Sequence, residues 1–309
     1  MVCVPEPLTR LWRTDRQIAL RAQLGVFRRG AGDPTSWWGP DGSTARATQT
    51  PEGVGTLHLA CRPGTGEVQA SAWGPGADWL LGSVPALLGD DDDPEGFEPV
   101  HPPLAEAWRR FGHWRVPRSG LVLDALAPAV IEQKVTGQEA FSGFRTLVRR
   151  FGSPAPGPFP RLQAPPTAAA WAAVPSWAWL QASVDGARSR TVVRAAGYAG
   201  RLEEAARLPL DEARRRLRAL PGVGVWTYAE TAQRALGDAD AVSFGDYHVA
   251  KDIGWALTGV PVDDAGLEEL LEPYRGHRYR VQHLLGLAGH HRPRRGPRMA
   301  PRTHLPTRR

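Results

Sequence analysis

Cysteine occurs only at Cys3 and Cys61 in the 309-residue chain. Two thiols could pair with each other, but they cannot build a four-cysteine zinc or iron–sulfur site. So sparse a set suits a reducing cytoplasm. Uncharged apolar runs stay well short of the roughly 18 residues that a membrane span needs. The opening "MVCVPEPLTRLWRTDR" has no long apolar core and does not read as a secretion signal. Lysine is confined to Lys134 and Lys251 among 38 basic residues, a bias that weakens arguments from any single arginine. Acidic residues stop at Glu272. Ten arginines follow it, so the end of the chain carries +10, and the first 272 residues carry −4 of the formal +6. That asymmetry suits a polyanionic partner, whose phosphates release counterions on contact, although a solvated basic tail would have the same composition.

What is present is a globular composition, 42% hydrophobic and 23% charged, in a chain long enough for two domains. Residues 1–116 read as an α+β domain. "TLHLACRPGTGEVQASAWG" alternates around turns as antiparallel strands do, and "QIALRAQLGVFRRG" has the spacing of a short amphipathic helix. "GDDDDPEGFEP" reads as an exposed acidic connection. Residues 117–290 are helical in pattern, beginning with a run from Asp124, the expected cap, to Phe151. Residues 291–309 form a basic tail whose Pro and Arg content predicts disorder without a partner.

"LPGVGV" at 220–225 joins two helical patterns with no spacer. Pro221 ends the first, and Gly222 and Gly224 relax the backbone. The first amides of the helix near Trp226 are then free to face a phosphate oxygen. A plain tight helix–helix connection has the same letters. No GxxxxGK[ST] or GxGxxG run accompanies the turn, so it is not a nucleotide-binding loop. Trp226 behind the turn is either core or the wall of a pocket. Twenty residues on, Asp246 stands at an expected helix start, where it can cap the helix or face a cleft. Glu132 in "VIEQKVTG" is the next candidate for a cleft-facing acid. His277, His283, His290 and His291 lie in a basic segment with no HExxH spacing, which argues against a metal centre.

"LPGVGVWT" at 220–227, "GDYHVAK" at 245–251, "VIEQKVTGQEA" at 130–140 and "LEPYRGHRYRVQHLL" at 271–285 together resemble the helix-hairpin-helix DNA glycosylases. Within them the chain is most similar to the 3-methyladenine DNA glycosylase II branch. The likeness covers most of residues 120–290, and "LGVFRRG" and "SAWGPGADWLL" extend it into the first domain. It implies an α+β N-terminal domain with an antiparallel sheet, followed by a mainly helical helix-hairpin-helix region. It also implies a monomeric, bacterial cytoplasmic enzyme that flips a damaged base out of double-stranded DNA.

In that reading Pro221, Gly222, Val223, Gly224, Val225, Trp226 and Thr227 hold backbone phosphate. Main-chain oxygens of Arg218, Leu220 and Val223 bind a structural Na+ or K+. Asp246 is the essential carboxylate, and no cofactor or iron–sulfur cluster serves catalysis. Trp226 stands where bifunctional relatives carry a nucleophilic lysine, which implies hydrolysis by water without lyase chemistry. Trp226, Tyr247 and Tyr274 would form an aromatic pocket, suited by cation–π attraction to alkylated purines such as 3-methyladenine and 7-methylguanine. Glu230 departs from the branch, which often carries an aromatic there. It could face solvent, or add an acceptor for another lesion such as hypoxanthine. Lys134 departs from an apolar wedge that fills the gap left by the flipped nucleotide, and Gln133 or Val135 could wedge instead. Arg275 would contact phosphate or pair with a carboxylate. A non-catalytic damage-binding protein remains the alternative, with Asp246 only a cap.

Overall fold

The computed structural model describes residues 6–62 and 66–293. Five antiparallel strands, β1 (Leu8–Arg13), β2 (Ser36–Trp38), β3 (Thr44–Thr50), β4 (Gly53–Cys61) and β5 (Glu67–Trp73), form a sheet of order β1-β5-β4-β3-β2. The alternation seen in the sequence sets its faces. Leu57 and Leu59 of β4 and Val68, Ala70 and Ala72 of β5 turn inward, in register across the pair. They pack on the short helix α1 (Leu20–Leu24) and on Leu80, Leu81, Val84 and Leu87 of α2 (Ala77–Leu87). Burying each of the leucines and valines contributes about 1.5–3 kcal/mol, which makes this a core of its own.

The helical part divides into two further cores. One gathers α4 (Val122–Ile131), α5 (Gly137–Phe151), α6 (Ala168–Ala172), α7 (Ser176–Gln181), α8 (Gly186–Gly197), α9 (Ala199–Glu203), α10 (Leu210–Arg218) and α11 (Val225–Ala235). The other joins α3 (Pro102–Phe111) to α12 (Val249–Thr258), α13 (Asp264–Leu271) and α14 (Arg278–Leu287). Residues 97–111, which precede the helical region in the chain, thus pack with its last helices. The proline-rich "SPAPGPFPRLQAPPT" is a connection that includes a minimal antiparallel pair, β6 (Ser153–Pro154) and β7 (Gln163–Ala164).

Three local expectations are corrected. The run from Asp124 to Phe151 is two helices, broken at 132–136, and α5 restarts with a Thr136–Glu139 capping box. Asp124 does not cap α4. Both oxygens of Glu203 accept from Val122 and Leu123 N–H at 2.7 and 2.8 Å, while Asp124 pairs with Arg46 of β3. The acidic connection is not wholly exposed: Asp92 lies buried in a two-pronged ion pair with the fully buried Arg280, at 2.8 and 2.9 Å. That pair fastens the sheet domain's exit to α14. Residues 294–309 of the tail, and Cys3, lie outside the described residues. No described helix is long and apolar enough to cross a membrane.

Candidate functional site

The turn between α10 and α11 is held from behind by α8 and from the side by the end of α4. Gly222 has φ +98°, and a Cβ there would stand 2.2 Å from Thr191 Oγ1, so both conformation and space require glycine. Arg194 donates to the Pro221 carbonyl at 3.2 Å, and Gln133 Nε2 donates to the Gly222 carbonyl at 2.8 Å and to Thr227 Oγ1 at 2.7 Å. Val223 is buried and Val225 exposed. Helix α11 follows Gly224 with no side-chain cap, so its first amides remain available to an anion. The Leu220 carbonyl accepts from Val223 N–H at 3.0 Å, whereas no hydrogen bond reaches the Val223 carbonyl among the described residues. Gln133 is therefore engaged by the turn. Its neighbour Lys134 is exposed and adopts φ +55°, an uncommon left-handed conformation for a side chain of its size.

Trp226 is not core. It is half-buried, and its indole N–H donates to Asp246 Oδ2 at 3.2 Å. Asp246 Oδ1 accepts from the amides of His248 and Val249 at 2.7 and 3.1 Å, the turn that leads into α12. The two readings of this aspartate coexist: one oxygen caps, and the other reaches across to α11. Gly245, at φ +83°, turns the chain immediately before it and donates to Asp264 at 2.8 Å. Behind Asp246, its own N–H donates to the Ser243 carbonyl at 3.1 Å. The Ser243 hydroxyl donates to Glu230 Oε1 at 2.6 Å and accepts from Gln233 and Gln282 at 2.9 and 3.1 Å. A buried network thus fixes the backbone carrying the carboxylate.

Glu230 lies one turn beyond Trp226 on the same face of α11, and Arg234 one turn further. Glu230 does not face open solvent. It pairs with Arg234 at 2.8 Å and lines a cavity of about 350 Å3 together with Arg29, Glu132, Tyr279 and His283. Arg29 Nε stands 2.7 Å from Glu132 Oε1, and the Val26 carbonyl accepts from both arginines at 3.1 and 2.8 Å. Burial raises the Glu132 carboxyl above its ordinary range, against the pull of Arg29. Burial also pushes His283 down to about 3, with Arg234 adding to the effect, so this imidazole is neutral at physiological pH. It stacks on the buried Trp114 at 4.1 Å. Sequence reasoning missed Arg29, Arg234 and Ser243, and weighed His283 only as a metal ligand. The 226–230–234 spacing was the available signal for Arg234.

Two residues expected in an aromatic pocket are elsewhere. Tyr274 is 1% exposed, packs beside Phe97 in the core of α3 and α12–α14, and bonds His101 through its hydroxyl. Tyr247 is 72% exposed, and Lys251 Nζ sits 3.9 Å from its ring centre, already supplying a cation to that face. Arg275 pairs with Glu272 at 2.8 Å on the surface. Among the described residues no His, Cys, Asp and Glu cluster could hold a metal ion. A larger cavity, about 890 Å3, opens between α2 and α4 but contains neither Trp226 nor Asp246. Of its three acids, Glu203 and Asp124 are occupied by the α4 amides and Arg46, and Glu204 pairs with Arg216 at 2.7 Å.

No family model and no curated protein sequence matches the chain. Solved structures do. The fold is similar to that of a 3-methyladenine DNA glycosylase from Archaeoglobus fulgidus, with TM-score 0.74 and 16% identity over 91% of this chain and 98% of that one. It is also similar to the 8-oxoguanine glycosylase/lyase of Clostridium acetobutylicum, with TM-score 0.68 and 12% identity over 92% and 98%. MBOgg1 in complex with a low-affinity DNA ligand gives TM-score 0.68 and 14% identity over 91% and 95%. The chain therefore has the fold of these DNA glycosylases, sheet domain included.

Proposed function

We propose that the protein is a monofunctional DNA glycosylase that extrudes a damaged purine from duplex DNA and hydrolyses its N-glycosidic bond. The observation that carries this reading is the Asp246 carboxylate, fixed by two amides on one oxygen and by the Trp226 indole on the other. As the bond to the base breaks, positive charge develops on the sugar. A carboxylate already held in place stabilises that charge without reorganising, and can orient the attacking water. Trp226 offers no amine for a Schiff base, so the product is free base and an abasic site.

The uncapped start of α11 and the 221–227 backbone hold phosphate beside the lesion, and Gln133 keeps that turn rigid. Lys134, projecting from the break between α4 and α5, covers the gap left by the flipped nucleotide. The Arg218, Leu220 and Val223 carbonyls would hold a monovalent cation, which offsets phosphate charge when bound. The Val223 carbonyl, which accepts no hydrogen bond among the described residues, fits that role.

Alkylated purines such as 3-methyladenine and 7-methylguanine are the first substrates, because a cationic base is already a good leaving group and requires little beyond Asp246. A neutral lesion is the second reading, supported by the polar cavity that Glu230 lines. Incubation with methylated duplex DNA tests the proposal. Free base should appear together with abasic sites that break only on alkali treatment, and borohydride should trap no covalent adduct. Binding without base release would leave a damage-binding protein instead.

A further inference from the structure

The break between α4 and α5, residues 132–136, contains neither proline nor glycine, so no residue in it forbids α4 from running on. Contacts from elsewhere in the fold end the helix. The Ile131 carbonyl, left over where α4 stops, accepts from Arg188 Nη1 of α8 at 2.7 Å. Glu132 pairs with Arg29, and Gln133 is drawn onto the hairpin by its bonds to the Gly222 carbonyl and Thr227 Oγ1. The backbone absorbs the break at Lys134, whose φ of +55° persists because its neighbours are fixed.

The same helix that ends α4 also supports the hairpin. Arg188 is 4% exposed, and its guanidinium donates to the Ser183 carbonyl at 2.9 Å and to Asp185 Oδ2 at 3.0 Å as well as to Ile131. A planar fork holds three acceptors in fixed directions, whereas a lysine ammonium on its flexible stem has no such geometry. One turn further along α8, Thr191 packs against Gly222 and leaves no room for a Cβ there. Arg194, a turn beyond, donates to the Pro221 carbonyl at 3.2 Å. Successive turns of one helix thus touch the end of α4 and then the hairpin.

We infer that Arg188 and Thr191 are positioning residues for nucleotide extrusion. From α8 they fix the separation between the hairpin, which holds phosphate, and the 132–136 segment, which fills the gap left by the flipped nucleotide. This rests on the base-releasing activity proposed above. Both side chains are buried, so they act through those two segments. Extruding a paired base requires phosphate to be held while the gap is filled. A change in the separation therefore acts on extrusion and leaves the Trp226–Asp246 contact in place.

The test measures single-turnover release of 7-methylguanine from two duplexes by the wild-type protein, Arg188→Lys and Thr191→Ser. One duplex carries the lesion opposite cytosine, the other opposite an abasic-site analogue, where an unpaired base leaves the stack more readily. Arg188→Lys keeps the charge and removes the fork. Thr191→Ser keeps the hydroxyl bond to the Ala187 carbonyl at 3.0 Å and removes only the methyl beside Gly222. The paired-to-unpaired ratio of rates should fall by roughly tenfold to a hundredfold in Arg188→Lys, as a displacement of up to about 1 Å in a positioned group does, and by less in Thr191→Ser. A loss of folded protein lowers both rates together and does not imitate the effect. A ratio unchanged in Arg188→Lys overturns the inference. Should that variant fail to fold, an unchanged ratio in Thr191→Ser overturns it instead. Wild-type release from the unpaired lesion alone also overturns it, and leaves the glycosylase reading standing. Wild-type release from neither duplex removes the glycosylase reading, and the inference with it.

Discussion

Asp246 accepts three hydrogen bonds, and they divide between its two oxygens: amides on Oδ1, the Trp226 indole on Oδ2. The amide pair sets the carboxylate on its turn, and the indole sets its rotation toward the neighbouring helix. Trp226→Phe keeps an aromatic ring at the position, though a smaller one, and removes the N–H. It should lower kcat roughly tenfold, as expected when one positioning donor is lost, and change KM little. Single-turnover rates at saturating enzyme check this. His283 gives a second prediction. The unfolded chain protonates this imidazole near its ordinary value of 6.5, the folded protein only at about 3. Its contribution is complete above about pH 6.5 and is lost as pH falls toward 3. His283→Phe should abolish that component. Urea melts near pH 7 and pH 4.5 should then show the variant gaining on the wild type at the lower pH.

At the scale of the element, the turn and the two helices around it were legible in the sequence because their signals are local. Pro221, two glycines and the periodicity of "WTYAETAQRAL" depend on neighbours in the chain. Gly222→Ala should destabilise the protein by at least about 1 kcal/mol and weaken DNA binding, since φ +98° and Thr191 both oppose a side chain. Gly224→Ala is the control. Its φ is −86° and nothing lies within 4 Å of an added Cβ, so thermal melts should shift little. What was not legible is tertiary. Asp124 looked like the cap of α4, but a carboxylate 80 residues away in sequence takes the α4 amides. Tyr274 follows the expected motif but turns into the core, because Phe97 from the far end of the sheet domain meets it there. Tyr247 is adjacent to Asp246 and still points outward. Adjacency along the chain says nothing of direction where the backbone is turning. Glu230 was noticed as a departure, yet its hydrogen-bond partner Ser243 and its cavity neighbours Arg29 and Glu132 come from three separate segments that only the fold assembles.

Over the whole molecule, three cores meet through buried charge. Arg29–Glu132 ties the sheet domain to the end of α4, Arg46–Asp124 ties β3 to its start, and Asp92–Arg280 ties the acidic connection to α14. Such pairs stabilise little relative to apolar packing, but removing one partner strands the other. Arg280→Leu should therefore cost about 3–5 kcal/mol in chemical denaturation, because it leaves Asp92 buried without its cation. Asp246 lies between the two helical cores, on the segment that links α11 to α12, so the position of this carboxylate depends on how all three parts are held. The most direct test of that account is single-turnover release of 7-methylguanine from duplex DNA by the wild-type protein and by Asp246→Asn. Asparagine can still accept the two amide bonds, so the turn and DNA binding should persist. Release should fall by about 10²-fold or more, as expected for loss of a fixed charge at the reacting centre. Release by Asp246→Asn at close to the wild-type rate would contradict the role assigned to this carboxylate.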